Sequence, residues 1–307
     1  MEFRTHILGS SSAAPAHGRS QSAQLITHGH HHFLIDCGEG TQMQLLRYDL
    51  PLHRIEAVFI SHLHGDHCLG LPGLISTLNL YGRQRPLYVF APPGLLEIIL
   101  LQFKYSDTHL GFRLHFQALA QPERQLIYHT KELEVFAFPL RHRVPCFGFE
   151  LAEKPRPPKL DKTKLPAAIS LAQIGALKRG EDLFDDDGQL LHRNAELTLP
   201  PLPPRRFIYC SDTLFSPELV PLLQGADLLY HEATFLHELA ARAQETAHTT
   251  ARQAGELARL ASIKQLLIGH FSTRYGQLEP FLEEARREFE ATHLAQEGLN
   301  FAVGASL

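Results

Sequence analysis

Apolar positions along this chain fall mostly in short runs bounded by glycine, proline, serine or aspartate. The runs are "HILGS" (6–10), "AQLITHG" (23–29), "HFLIDCG" (32–38), "AVFISH" (57–62), "LYVFAP" (87–92), "LEVFAFPL" (133–140), "RFIYCSD" (206–212), "DLLYHEA" (227–233), "QLLIGHF" (265–271) and "LNFAVG" (299–304). Short runs rich in β-branched and aromatic residues predict strands. "HGHHH" (28–32) separates two of them and reads as a hairpin turn. Three stretches carry a helical period instead. "PGLISTLNLYG" (72–82) has proline early and glycine at its end, which suits a helix from first turn to C-cap. "HTTARQAGELARLASI" (248–263) places Ala251, Ala254, Leu257, Ala258 and Ala261 on one face, with Thr249 or Thr250 as N-cap. "LEPFLEEARREFEATH" (278–293) reads as an amphipathic helix. Hairpins early and strand–helix units later predict an α/β (or α+β) fold with helices outside sheets.

One stretch breaks this rhythm. From Ala152 to Pro204 the composition turns to proline, lysine and aspartate, with little period beyond "AAISLAQIGALK". A stretch of that length is too long for an ordinary loop. The expected organisation is therefore one domain built from residues 1–151 and 205–307, with 152–204 inserted. From Lys154 to Arg179 the insertion holds Lys154, Arg156, Lys159, Lys162, Lys164, Lys178 and Arg179 against Asp161 alone, a local +6 in a chain of net charge −4. The "EDLFDDDG" that follows cancels that charge. Lys/Arg patches are what bind phosphate backbones, and the whole-chain balance alone would not indicate a nucleic-acid partner.

Length and composition are those of a globular protein: 307 residues, 44% hydrophobic and 20% charged. No apolar run is long enough to span a membrane, and the N-terminus lacks the sustained apolar core of a signal peptide. Cys37, Cys68, Cys146 and Cys210 are far apart and form no CxxC pair. A reducing, cytoplasmic setting is the simpler reading.

Histidine is the unusual count, at 20. In "SHLHGDH" (61–67) the donors His62, His64, Asp66 and His67 follow a strand-like run. Side chains two apart on an extended chain share a face, so His62 and His64 point together. Gly65 permits a sharp turn that brings Asp66 and His67 to the same space. Imidazole and carboxylate donors without thiolate suit zinc and also tolerate manganese or iron. Three further donors each follow an apolar run: His142 after "VFAFPLR", Asp212 after "FIYCS" and His270 after "QLLIG". Strand ends are where sites assemble in α/β sheets.

These motifs resemble those of the metallo-β-lactamase superfamily. The stretches "FLIDCGEGTQMQLLR" (33–47), "HLHGDHCLGLPGLI" (62–75), "HRVPCFGFEL" (142–151), "SDT" (211–213), "HEATF" (231–235) and "HFSTRY" (270–275) are similar, within it, to the ribonuclease Z family. The resemblance implies an αββα sandwich with an inserted flexible arm that grips tRNA. It implies two metal ions, taken as zinc: His62, His64 and His142 on one, Asp66, His67 and His270 on the other, Asp212 bridging. It further implies a homodimer and endonucleolytic removal of the 3′ trailer from precursor tRNA, cut after the discriminator nucleotide to leave a 3′-hydroxyl. Asp66 is the family's proton acceptor. His248 in "AHTTA" and Glu232 in "HEATF" are candidates for a proton donor and its orienter. Arg274 is a candidate phosphate clamp, and Asp36 a residue that orients the histidine loop. The insertion lacks the Gly-Pro stretch that many members carry there. The rival readings are another hydrolase of the superfamily, such as a thioesterase or small-molecule phosphodiesterase, and a non-catalytic RNA-binding relative.

Overall fold

The computed structural model describes residues 1–304. Two seven-stranded sheets carry the architecture. The first contains β1 (Phe3–Gly9), β2 (Ala23–His28), β3 (His31–Ile35), β4 (Ile55–Phe59), β5 (Leu87–Ala91) and β6 (Leu114–Ala118). The second contains β7 (Gln125–His129), β8 (Leu133–Leu140), β9 (Cys146–Glu153), β10 (Arg206–Cys210), β11 (Leu228–Glu232), β12 (Leu266–Gly269) and β13 (Thr292–Leu294). The last strand, β14 (Asn300–Ala302), returns to the first sheet and pairs antiparallel with β1. The orders are β14-β1-β2-β3-β4-β5-β6 and β13-β12-β11-β10-β9-β8-β7. β1 to β3 form an antiparallel meander whose second turn falls at Gly29–His30, within the "HGHHH" stretch. β3 to β6, and β10 to β13, run parallel.

The strands are sided with period two. Leu34 in β3 and Val58 in β4 pack into a cluster with Leu45 of α1 (Thr41–Arg47), Leu74 and Leu78 of α2 (Gly70–Leu80), and Ile99 of α3 (Leu95–Tyr105). Their neighbours Phe33 and Phe59 point the other way, into an aromatic layer between the sheets, where Phe59 lies 5.5 Å from Phe149 of β9. In the second sheet Ile208, Leu229 and Ile268 pack against α4 (Ala251–Leu260) and α5 (Glu279–Arg286). Helices thus cover the outer face of each sheet, and the aromatic layer joins the inner faces. Thr250 caps α4 in a capping box with Gln253, as the sequence allowed.

Some elements escaped the sequence pattern. α3, "LLEIILLQFKY", is apolar nearly all round, with Ile98, Leu100 and Leu101 about half exposed, so it has no one-sided stripe to read. The helical pattern over 278–293 stops at Arg286, because Thr292–Leu294 pairs as β13 with β12.

The chain divides into two compact units. The sandwich comprises 1–128, 135–151 and 206–307; the second unit comprises 129–134 and 152–205. The second unit is itself folded. Leu177, Leu183 and Leu197 form its core, and Ser170 caps its helix Leu171–Lys178. Its ribbons, Lys159–Leu160 with Thr198–Leu199 and Leu183–Phe184 with Leu190–His192, are too short to leave a period in sequence. No helix among the described residues is long and apolar enough to cross a membrane.

Candidate metal centre

The donor-bearing loops leave the sandwich at strand ends: "SHLHGDH" after β4, His142 after β8, Asp212 after β10, Glu232 closing β11 and His270 after β12. Close backbone approach holds the histidine loop in place. A Cβ on Gly70 would lie 2.0 Å from the Gly38 carbonyl oxygen, so only glycine lets α2 start against the "DCG" turn. Cys37 N–H then donates to the His67 carbonyl at 2.8 Å.

Seven donors converge in two sets. In the first, His62 Nε2 lies 3.0 Å from His64 Nδ1, His142 Nε2 lies 3.3 Å from His64 Nδ1, and His62 Nε2 lies 3.4 Å from Asp212 Oδ2. In the second, His67 Nε2 and His270 Nε2 are 3.2 Å apart, with Asp66 Oδ2 at 3.5 and 3.4 Å. Asp212 Oδ1 joins this set, 3.5 Å from His67 Nε2 and 3.2 Å from His270 Nε2. Ligands held about 2.1 Å from a tetrahedral ion lie roughly 3.4 Å apart, so the spacings fit two cations sharing Asp212. The donor atoms support the same fit: Asp212 Oδ1 is buried without a hydrogen-bond partner.

The second nitrogen of four of these histidines is fixed. His67 Nδ1–H donates to Asp36 Oδ2 at 2.8 Å, and Asp36 also accepts from Ser61 N–H and Tyr209 O–H. His142 Nδ1–H donates to the Ala247 carbonyl at 2.9 Å. His62 Nδ1–H reaches Ser61 Oγ at 3.0 Å. Thr234 Oγ1–H donates to Glu232 Oε2 at 2.7 Å, so Thr234 accepts from His270 Nδ1–H at 2.8 Å. Each bond leaves Nε2 as the free lone pair facing the centre, the usual outer support of a metal histidine. Ala13, Asp36, Ala247 and His270 all adopt left-handed backbone. Such residues are strained by about 1 kcal/mol or more each and cluster at functional sites. Ala13 N–H donates to Asp66 Oδ2 at 2.6 Å from that conformation.

Charges reflect the crowding of buried carboxylates. Burial opposes a charge on His67, yet Asp212, Asp66 and Asp36 raise it to about 10. Burial and the neighbouring His67 lower His62 to about 4. Burial would raise Asp66, but His67 and His270 hold it well below the usual carboxylate range. The oxygens demand positive charge, and a metal cation displaces a proton in meeting that demand.

A dyad stands beside the second set. His248 Nδ1–H donates to Glu232 Oε1 at 2.9 Å. Glu232 is fully buried and also accepts from Thr213 N–H and Thr234 N–H, each at 3.0 Å. Burial disfavours the imidazolium, but Glu232 outweighs it and raises His248 to about 9. His248 lines a cleft of about 300 Å³ with His64, Asp66, Asp212 and His270. The structure thus gathers the seven donors, Asp36, His248 and Glu232. Arg274 is not gathered with them: it is exposed on the loop after β12 and outside the cleft lining. Arg143, within "HRVP", lines the cleft instead. Thr234 lay within the quoted "HEATF" and was findable. The Ala247 carbonyl was not, since any residue supplies one.

Two stacked sheets flanked by helices, with histidine and aspartate clusters at the strand ends, define a hydrolase of the metallo-β-lactamase fold. Human tRNase Z, short form, superposes with TM-score 0.72 at 27% identity, over 98% of this chain and 100% of that one. The metallo-β-lactamase fold protein YhfI of Bacillus subtilis superposes with TM-score 0.70 at 18% identity, over 98% and 100%. Residues 3–143 match the family described as Anti-Pycsar protein Apyc1. Ribonuclease Z of Cytophaga hutchinsonii is 50% identical over 303 residues, covering 99% of this chain and 97% of that protein. Ribonuclease Z of Bacteroides fragilis is 42% identical over 299 residues, covering 97% and 98%. The chain belongs to the ribonuclease Z family.

Proposed function

We propose that this protein is a metal-dependent endoribonuclease that removes the 3′ trailer from precursor tRNA, cutting after the discriminator nucleotide and leaving a 3′-hydroxyl. One observation carries the chemistry: Asp212 sends Oδ2 to one histidine set and Oδ1 to the other. His62, His64, His142 and Asp212 would hold one divalent ion; Asp66, His67, His270 and Asp212 would hold the other. Such a pair supplies positive charge for a phosphodiester and acidifies water at neutral pH. Zinc is the favoured ion for an imidazole and carboxylate set, with manganese and iron as the alternatives to be tested.

The chain's own groups manage the protons. Asp66 accepts the proton of the attacking water. His248, charged and oriented by Glu232, protonates the departing 3′ oxygen as the bond from phosphorus to that oxygen breaks. The seven donors, all in place, argue against a non-catalytic relative. Arg274 meets a phosphate of the RNA outside the cleft.

The second unit is proposed as the arm that holds tRNA. Some of its basic residues are paired with carboxylates and some are not. Arg156, Lys164 and Arg179 are spent on Glu153, Asp161 and Glu181. Lys159, Lys162 and Lys178 are exposed and have no ion pair among the described residues, so they are available to phosphates. A homodimer is supported by exposed apolar residues on α2 and α3, including Leu80, Ile98 and Leu101, and predicts a solution mass twice that of one chain. The four cysteines are free and buried, which suits the reducing cytoplasm.

End-mapping of the product from a 3′-extended precursor tRNA tests this reading. The expected product is a tRNA ending in the discriminator nucleotide with a 3′-hydroxyl. Hydrolysis of thioesters or small diesters with no cut in the precursor would favour another hydrolase of the fold.

A further inference from the structure

Among the described residues, the cleft of the proposed reaction is lined by one arginine and no lysine. Arg143 lines it together with His64, Asp66, Asp212, His248 and His270, and no lysine or second arginine shares that lining. The guanidinium has neither an ion pair nor a hydrogen bond among the described residues, and the residue is exposed. Its neighbour shows the contrast: Arg141 is engaged by Glu218 at 3.1 Å.

The backbone that carries Arg143 is held on both sides. Arg141 N–H donates to Thr213 Oγ1 at 3.2 Å, and Leu214 N–H donates to the Arg141 carbonyl at 2.9 Å. His142 is tied to Ala247, and the Cys146 thiol donates to the Asp212 carbonyl at 3.4 Å. An arginine on a pinned loop, unpaired, at the wall of a cleft for a polyanion is ready to receive a phosphate through its planar fork. The net charge of the chain is −4, so attraction for a polyanion has to come from local positive groups, and Arg143 is one of them at the cleft wall.

We propose that Arg143 binds a phosphate of the RNA strand lying in the cleft, making it a substrate-binding residue for the cleavage. The inference rests on the proposed endoribonuclease reading. No existing ion pair at Arg143 has to break for a phosphate to bind, so only the ordering and desolvation of its exposed side chain oppose the contact.

The test measures kcat and KM on 3′-extended precursor tRNA between about 50 and 200 mM salt for the parent, R143A and R143K, at equal bound metal. One lost contact to a single strand flattens the slope of log(kcat/KM) against log[salt] by about 0.7. R143A is expected to flatten the slope by that amount and raise KM roughly tenfold. R143K is expected to keep the parental slope, with KM in between, because lysine keeps the charge and loses the fork. A disturbed loop would impair both variants alike without changing the slope, and that result overturns the proposal, as does an R143A enzyme with parental KM and slope. A parent that cuts the precursor normally while R143A matches it defeats this inference alone; a parent that does not cut defeats the endoribonuclease reading.

Discussion

The sandwich and the inserted unit solve different physical problems with different means. In the sandwich, buried aromatics such as Phe33, Phe59 and Phe149 fix the sheets, and the candidate donor atoms of His62, His67, His142 and His270 are aimed by a second bond on the same ring. The inserted unit has a core of three buried leucines and leaves Lys159, Lys162 and Lys178 in solvent. Hydrolysis demands donors placed within about half an ångström. A hold on a polyanion demands charge and tolerates latitude. Damage to the sandwich should therefore destroy chemistry, and damage to the insertion should weaken the hold on tRNA alone.

The largest effect is expected at Asp212, which serves both sets. Asp212→Ala should lower kcat by about a thousandfold or more and lower the metal bound per chain, since both sets lose a ligand. Metal analysis and single-turnover cleavage measure the two losses together. Chelation of the parent should reproduce the loss, and added zinc should reverse it. An Asp212→Ala protein that binds two ions and cuts at the parental rate would refute the shared-carboxylate arrangement.

Glu232 comes next. Glu232→Gln keeps the shape of the side chain but removes the charge that holds the proton on His248. The expected result is a roughly hundredfold fall in kcat with metal content unchanged. If metal is lost instead, Glu232 acts through Thr234 and His270 on the metal rather than through the proton donor.

The two regions also differed in how much the sequence disclosed. "SHLHGDH" announces itself because its donors are contiguous and follow a buried strand, and the strand-end positions of His142, Asp212 and His270 follow from the same pattern. Partners set by tertiary contact stayed hidden. The Ala247 carbonyl that aims His142 lies 105 residues away and carries no side-chain signature. Arg143 and Arg274 look alike as residues in quoted motifs, and only the folded loops place the first in the cleft wall. The insertion read as nearly patternless because its ribbons span only two or three residues a side, shorter than any window that resolves a period. Its fold is set by Leu177, Leu183 and Leu197 meeting across the segment, and by residues 129–134, which the expected boundary at 152 left in the main domain.

A smaller effect belongs to the free lysines. Replacing Lys159, Lys162 and Lys178 together by alanine should raise KM for precursor tRNA about tenfold at moderate salt and flatten its salt dependence. Hydrolysis of bis-p-nitrophenyl phosphate, which offers no backbone to grip, should stay within about twofold of the parent. Equal losses on both substrates would mean that the insertion supports the metal centre, and the two regions would not divide chemistry from binding.

The smallest catalytic effect is expected from the core of the insertion. Leu177 is fully buried there, against Leu183 and Leu197. Leu177→Ala removes about 2 kcal/mol or more of local stability in a cluster too small to absorb the cavity. Hydrogen exchange should show the amides of Leu171–Lys178 opening while those of β4 and β10 keep parental protection. Small-diester hydrolysis should be unchanged, because none of the candidate metal donors lies in this unit. Precursor tRNA cleavage should fall less than in the triple-lysine variant, since the charges remain although their spacing loosens. If β4 and β10 lost protection as well, the two units would unfold as one, and damage to the insertion would not be confined to the hold on tRNA.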